Sequence, residues 1–276
     1  MLKRKRSNVS ETIVFDIETY RPSWQFSQTR REDLNPERNT VITVGFSDGK
    51  ETSIYPTIQD LKKENEPVQF LLGKLEEAES SVLVGYNILH FDIPYLVHKS
   101  KLIGKDFNTT RLKLLDLYWF LPFWFHNIPS GQKFFNRNPT LGNLLRFEDV
   151  VKYILNREAN PVSNKDISRL WETKRFQDIE SHLKLDLVHT FSLFTSPSMK
   201  ETLDHIHEHE FDKRYCEGSC PFQRPLQKTS GTIVGYCALS GEITTGEKEM
   251  STIDVICYPL PQRDSSWIPR CLESSG

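Results

Sequence analysis

Two acidic residues stand directly after the most apolar stretch near the amino terminus of the chain. Asp16 and Glu18 follow the apolar run at residues 13–15. On a strand that continues through this stretch, residues two positions apart point to the same face. Carboxylates beside a buried run are costly unless a cation or another partner compensates their charge. The sequence therefore predicts a buried strand whose end carries two acids that need such a partner.

Apolar runs and turn signals give the order of the elements. The predicted strands are residues 11–17, 40–46, 52–55, 81–86 and 112–120. The predicted helices are residues 57–79, interrupted near Pro67, residues 92–103, and most of residues 140–193, with breaks around Pro161 and Ser163. Three strands followed by alternating helices and strands predict an α/β domain with a mixed sheet.

The charges of the chain nearly cancel, with 35 basic against 37 acidic residues and a formal net charge of -2. This balance argues against a protein that binds nucleic acid by bulk electrostatics, although it leaves room for a local basic groove. No stretch approaches the roughly 18 apolar residues that a membrane span needs. The basic start of the chain has no apolar segment behind it, so we expect no secretory signal there. We therefore expect a cytoplasmic protein without a membrane partner.

Two further acids belong to other parts of the predicted fold. Asp92 comes after the strand at residues 81–86 and a loop, whereas Asp186 lies on a predicted helix and shares a face with His182. Carboxylates that converge from several elements repel one another, and hard divalent cations such as Mg²⁺ or Mn²⁺ relieve that repulsion. The alternative is that each acid is an ordinary helix cap or surface residue.

Three segments resemble the motifs of the DEDD superfamily of 3′–5′ exonucleases, which has an RNase H-like fold. Residues 14–19 (VFDIET) resemble the first motif. Residues 85–96 (GYNILHFDIPYL) are similar to the second motif of the proofreading domains of family-B DNA polymerases. Asp186, with Thr190 four residues later, fits the third motif. The resemblance covers roughly residues 10–200 and implies an RNase H-like mixed five-stranded sheet flanked by helices, as a stand-alone exonuclease domain.

The same resemblance implies phosphodiester hydrolysis with two metal ions, Mg²⁺ or Mn²⁺. One cation, held by Asp16, Glu18 and Asp186, would activate a water molecule. The second, bridged by Asp16 and reached by Asp92 through water, would stabilise the leaving 3′ oxygen. Such cations lie about 3.5–4 Å apart and clamp the attacking and leaving oxygens.

His182 departs from the pattern of the polymerase-like branch, where a Tyr stands four residues before the last Asp. The other branch of the superfamily uses a His five residues before that Asp, where this chain has Ser181. His182 could accept a proton from the attacking water or orient it, because the ordinary pKa of imidazole is near neutrality. The alternative is a histidine on the helix surface beside the site.

Other residues are candidates for binding the substrate. The resemblance implies that Asn87 and Phe91 position the terminal nucleotide and that Thr19 contacts the 3′ end. Residues 118–135 contain eight aromatic side chains, which can stack unpaired bases or can form core or a subunit contact. We expect most of them to be core, and Phe134 and Phe135 to be exposed stacking residues.

All five cysteines lie in the last 61 residues. Four of them suit structural Zn²⁺ in tetrahedral geometry or a [4Fe–4S] cluster, and the alternative is a set of reduced core thiols. These four are Cys216, Cys220, Cys237 and Cys257. We expect a basic tail at residues 1–10, an RNase H-like exonuclease domain at residues 11–208, and a small Cys-rich, metal-binding module at residues 209–276.

These features predict a metal-dependent 3′–5′ exonuclease that acts on single-stranded or frayed DNA, so the expected partner is nucleic acid with a free 3′ end. An exoribonuclease of the same superfamily is the nearest alternative. A protein that binds nucleic acid and has kept the fold without the activity is the alternative from another class.

Overall fold

The computed structural model describes the greater part of the first 208 residues and a short hairpin beyond them. The described residues are 12–22, 36–78, 81–88, 91–105, 107, 113–118, 121, 124–125, 128–138 and 146–208, and, as backbone, 223–227 and 233–237. Within these ranges no helix has both the length and the apolar character to cross a membrane.

A mixed five-stranded sheet lies at the centre of the domain, in the strand order β3-β2-β1-β4-β5. Its strands are β1 (Thr12–Tyr20), β2 (Thr40–Ser47), β3 (Thr52–Tyr55), β4 (Val82–Gly85) and β5 (Lys113–Asp116). Strands β1, β2 and β3 are antiparallel neighbours, whereas β4 runs parallel to β1 and β5 runs parallel to β4. The predicted α/β class and mixed sheet are confirmed, although β5 ends at Asp116 and not at residue 120.

Helices cover the sheet. In chain order they are α1 (Asn65–Glu77), α2 (Asp92–Leu102), α3 (Pro129–Arg137), α4 (Phe147–Ile154), α5 (Ile167–Glu172), α6 (Phe176–Phe194) and α7 (Pro197–Glu208). Short 3-10 helices at Leu61–Lys63 and Asn164–Asp166 precede α1 and α5. The predicted breaks around Pro161 and Ser163 are confirmed, because both residues lie in the connection between α4 and the second 3-10 helix.

The predicted interruption near Pro67 is wrong. Pro67 is the third residue of α1, and the first turn of a helix tolerates proline because its backbone N–H groups have no partner within the helix. The discontinuity lies at Glu64, between the first 3-10 helix and α1. The helix therefore starts two residues before the proline that the sequence suggested would break it.

Strand β1 is buried on both faces, and its side chains alternate between two cores. Phe15 and Ile17 belong to the core that α1 and α2 cover, whereas Val14 packs in the core on the opposite face with Leu183 and Leu187 of α6. This two-residue alternation directs Asp16 and Glu18 to the face on which α6 lies.

Helix α6 packs directly on β1 and β2 because a glycine faces it. A Cβ atom built at Gly45 of β2 would lie 2.6 Å from Leu187 Cδ1 and 3.3 Å from Leu183 Cδ2. Gly45 is also the partner of Asp16 in the β1–β2 ladder. The absence of a side chain at this position therefore brings α6 close to the strand that carries the acids.

The described part of the carboxyl-terminal region is a two-stranded antiparallel sheet of β6 (Gln223–Gln227) and β7 (Ile233–Cys237). Cys237 is the last residue of β7. Cys216, Cys220 and Cys257 lie outside the described residues. The metal-binding module at residues 209–276 therefore stays a prediction, as do the domain boundaries.

We expect the substitution Gly45→Ala to destabilise the protein by about 1–3 kcal/mol, since the added methyl group overpacks a filled core. The matched control is Gly73→Ala in α1, where an added Cβ meets nothing within 4 Å. There the change should stabilise the protein by up to about 1 kcal/mol through helix propensity. Denaturant unfolding measures both changes, and equal effects of the two substitutions would contradict the packing argument.

Candidate active site

The two acids of β1 lie where the regular ladder of the strand is interrupted. Glu18 pairs with Thr43 of β2 but Thr19 pairs with Val41, so the register shifts between Glu18 and Thr19. Such a bulge re-aims the side chains beside it. Glu18 is buried, whereas Asp16 and Thr19 are half-buried. The end of β1 thus withdraws Glu18 from solvent and Asp16 partly so.

Asp92 is the first residue of α2, and it contacts β1 through the backbone. The Ile17 N–H donates to Asp92 Oδ1 at 3.1 Å and to Asp16 Oδ1 at 2.9 Å. The carboxyl groups of Asp16 and Asp92 also interact directly. Only 2% of Asp92 is exposed. One backbone amide therefore holds together acids that are 76 residues apart in sequence.

Helix α6 brings His182 and Asp186 to the same place. They lie one turn apart on its buried face. His182 Nε2 lies 3.2 Å from Glu18 Oε1 and 3.4 Å from Asp186 Oδ2. Ligand atoms of Glu18, His182 and Asp186 all lie within 4.8 Å of one another. The structure thus brings Asp16, Glu18, Asp92, Asp186 and His182 together at the end of β1.

The electrostatics of the acids are those of a crowded, buried site. Burial, followed by Asp92, Glu18 and Asp186, raises the pKa of Asp16 well above its usual value. Burial likewise raises the pKa of Asp92 to about 7. Burial raises the pKa of Asp186 to about 6, although His182 and a hydrogen bond from Asn160 oppose the shift. Within the chain, these carboxylates are incompletely compensated.

His182 is the cationic counterpart of these acids. Burial lowers its pKa, but Glu18 and Asp186 outweigh burial and raise the pKa to about 9. Its exposed fraction is 2%, so the alternative of a surface histidine is excluded. Its Nδ1 atom is buried without a hydrogen-bond partner among the described residues.

Two asparagines that the sequence analysis did not select support this cluster. Asn160 Nδ2 donates to Asp186 Oδ1 at 2.9 Å and to the backbone oxygen of His182 at 3.0 Å. Asn164 Oδ1 lies 2.9 Å from His182 Nε2. Both flank the predicted break around Pro161 and Ser163. That break was their only sequence signal, since a loop before a helix does not show which side chains turn inward.

Asp116 is a further buried acid that the sequence analysis missed. It ends β5, it is fully buried, and its Oδ1 atom accepts from the backbone N–H of Asn87 at 2.7 Å and of Tyr118 at 3.0 Å. Asn87 has a φ of 65°, a left-handed conformation that asparagine tolerates better than most residues. Asp116 therefore fixes the turn from which the second motif begins.

The predicted substrate-binding residues Asn87, Phe91 and Thr19 are all half-buried. Phe91 immediately precedes Asp92, and its ring lies 4.5 Å from that of Tyr95. Thr19 follows Glu18 at the bulge. Their positions beside the acids are established, whereas their roles in binding nucleic acid stay predictions.

Phe134 and Phe135 are half-buried on α3, and not exposed as expected. The ring of Phe134 lies 5.2 Å from Trp124, and the ring of Phe135 lies 5.6 Å from Phe125. Trp124 and Phe125 are themselves buried core residues. These ring contacts cover part of the Phe134 and Phe135 surface that was expected to be open to bases. Stacking of bases on the two rings therefore stays a prediction without structural support.

The fold and the site together define the class: an α/β protein whose mixed five-stranded sheet carries a cluster of acidic side chains at one end. The profile of the RNase_H_2 family, of the RNase_H superfamily, matches residues 13–196, and this chain belongs to that family.

A DNA polymerase from Methanocaldococcus jannaschii is 30% identical to this chain over 105 residues, which are 36% of this chain and 6% of the polymerase. The structure of the family B DNA polymerase from the hyperthermophilic archaeon Pyrobaculum calidifontis aligns with a TM-score of 0.49 and 18% identity. That alignment covers 66% of this chain and 24% of the polymerase. The chain thus matches a minor part of the length of either protein.

We expect the Asp92→Asn variant to become more stable relative to the wild type as the pH rises from about 4 to 7. The folded wild type holds the Asp92 proton with a pKa of about 7, whereas the unfolded chain releases it near 3.9. The wild type therefore loses stability across this window, and asparagine does not titrate. Thermal unfolding in a metal chelator at a series of pH values measures the difference.

The control for that series is Asp178→Asn, which removes an exposed carboxylate on α6 that pairs with Arg175. If Asp92→Asn and Asp178→Asn give parallel pH profiles, the raised pKa of Asp92 is contradicted.

We expect Asp116→Ala to destabilise the protein by about 1–3 kcal/mol, because it leaves the N–H groups of Asn87 and Tyr118 without their acceptor. Asp116→Asn keeps an oxygen at the Oδ1 position and should recover most of the loss. Denaturant unfolding measures both variants. Equal losses would show that the charge of Asp116, and not its role as acceptor, is what matters.

Proposed function

We propose that this chain is a metal-dependent 3′–5′ exonuclease that hydrolyses phosphodiester bonds at the 3′ end of single-stranded or frayed DNA. The observation that carries the proposal is the convergence of carboxylates from β1, α2 and α6 at one buried place. Membership of the RNase_H superfamily and the similarity to a DNA polymerase support nuclease chemistry on nucleic acid.

The donor set fits hard divalent cations. Asp16, Glu18, Asp92 and Asp186 offer carboxylate oxygens, the ligand type that Mg²⁺ and Mn²⁺ prefer. The raised pKa values of Asp16, Asp92 and Asp186 indicate that further positive charge would be stabilising there. Asp16, Glu18 and Asp186 would hold one ion, and Asp16 with Asp92 would hold a second. When bound, such ions supply Lewis-acid stabilisation of the charge that develops on the reacting oxygens.

The side chains around the acids have positioning roles in this proposal. Phe91 and Asn87 flank the turn before Asp92 and shape the pocket for the terminal nucleotide. Thr19, at the bulge beside Glu18, contacts the 3′ end. Asn160 orients Asp186 and opposes the rise of its pKa, because it donates to Asp186 Oδ1.

The cysteines beyond the described domain are part of the same proposal. Residues 209–276 form a small module in which Cys216, Cys220, Cys237 and Cys257 bind Zn²⁺ or a [4Fe–4S] cluster. Metal analysis and the visible absorption spectrum of anaerobically purified full-length protein distinguish these two. The finding of neither metal would leave reduced thiols.

We expect the wild-type protein to shorten 5′-labelled single-stranded DNA from its 3′ end in the presence of Mg²⁺ or Mn²⁺. The Asp186→Asn variant should be slower by about a thousandfold or more, because metal-ion stabilisation contributes several kcal/mol to such reactions. The matched control is Asp178→Asn on the same helix, which should retain wild-type activity. Single-turnover assays with DNA and RNA of the same sequence measure these rates, with a chelator as the blank.

Each contradicting outcome identifies an alternative. Faster shortening of the RNA would indicate an exoribonuclease of the same superfamily. A folded protein that binds either strand but cleaves neither would indicate that the fold serves binding alone. Products that shorten from the 5′ end would contradict the direction that we propose.

A further inference from the structure

We infer that His182 is itself a ligand of the cation that Glu18 and Asp186 hold, so that this site binds a transition-metal ion such as Mn²⁺ more tightly than Mg²⁺. The inference rests on the metal site of the proposed function and adds a nitrogen ligand to its carboxylates. It concerns which atoms bind the ion, and it is independent of the identity of the nucleic acid.

The spacing of the donor atoms fits one cation. Two ligand atoms at about 2.1 Å from a common ion lie about 3.0 Å apart at an octahedral angle and about 3.4 Å apart at a tetrahedral angle. His182 Nε2 lies 3.2 Å from Glu18 Oε1 and 3.4 Å from Asp186 Oδ2. These separations are those of neighbouring ligands in a single coordination sphere.

The fold aims the imidazole into this cluster. His182 and Asp186 are one turn apart on the face of α6 that packs on the sheet. Asn160 fixes that turn, since it bonds both the His182 backbone oxygen and the Asp186 carboxylate. The His182 side chain is 2% exposed and has no open solvent to turn toward. Its Nε2 atom therefore meets any ion that Glu18 and Asp186 bind.

A mixed set of two carboxylates and one imidazole determines the metal preference. Imidazole nitrogen is a good ligand for first-row transition metals, whereas Mg²⁺ prefers oxygen and retains its waters. A nitrogen ligand in this position should therefore favour Mn²⁺ over Mg²⁺. A site made of the carboxylate oxygens alone, without the imidazole, would bind both ions.

The rival arrangement keeps a proton on Nε2, which then donates to Asn164 Oδ1 and to the carboxylates. Ligation instead requires a neutral imidazole that carries its one proton on Nδ1, so the ring releases its Nε2 proton to solvent when the ion binds. In the rival arrangement His182 positions the carboxylates but does not bind the ion. The two arrangements differ in one measurable property, namely the presence of a nitrogen atom bonded to the metal.

Pulsed electron paramagnetic resonance of the full chain loaded with Mn²⁺ tests this property directly. We expect a ¹⁴N modulation from a coordinated imidazole in the wild type and its loss in His182→Gln. The matched control is His189→Gln, which replaces another buried histidine of α6 about 10 Å further along the helix. That variant should retain the modulation. Circular dichroism confirms that each variant is folded.

Competition between the two ions gives a second measurement that does not depend on activity. In the wild type, Mn²⁺ should displace Mg²⁺ readily, and His182→Gln should weaken Mn²⁺ binding by at least about 10–100-fold, the loss that removal of a mere hydrogen-bonding partner of a metal ligand already causes. Binding of Mg²⁺ should change much less. His182→Tyr, which places a phenol at this position, should reduce the preference in the same way.

Bound Mn²⁺ without a nitrogen modulation in the wild type would overturn the inference and leave the proposed exonuclease intact. A modulation that persists in His182→Gln would also overturn it, because the nitrogen would then come from another residue. Absence of Mn²⁺ binding would overturn the inference together with the metal-dependent function. A nitrogen-ligated ion in a protein that fails to cleave DNA would overturn the proposed function alone.

Discussion

The concentration of negative charge at the buried end of β1 is the constraint on which the rest of the structure depends. Desolvation raises the pKa values of Asp16, Asp92 and Asp186, and repulsion from neighbouring carboxylates adds to it, so the arrangement is unfavourable for an isolated chain. It persists because the acids belong to rigid elements. The ladder of β1, the shared Ile17 N–H and the packed face of α6 hold their backbones irrespective of that repulsion.

The fold turns this unfavourable cluster into a preorganised site. Gly45 allows α6 to approach β2, and α6 then carries Asp186 and His182 to Glu18. Asn160 and Asp116 hold the third-motif turn and the second-motif loop from outside the cluster. A bound cation relieves the repulsion among the acids. This relief favours binding in full, because the side chains are already in place. This is the physical reason that the site suits cations.

The sequence was informative wherever the signal is local. Apolar runs mark the five strands because buried strands require apolar side chains, and the acids stood out because charge is rare beside such runs. Pro67 misled because the effect of proline depends on its distance from the helix start, which the sequence does not mark. Phe134 and Phe135 were misplaced because clustered aromatic residues look alike in sequence whether they lie in a core or on a binding surface.

The sequence by itself determined the order of the elements, the mixed sheet and the identity of the acids, since each leaves a pattern within a few residues of the chain. Only the tertiary structure decided that Asp116 supports Asn87, that Asn160 supports Asp186, and that His182 lies between Glu18 and Asp186. These contacts join residues that are distant in the chain. They depend on how closely helices and strands pack, and that distance has no signature in the local sequence.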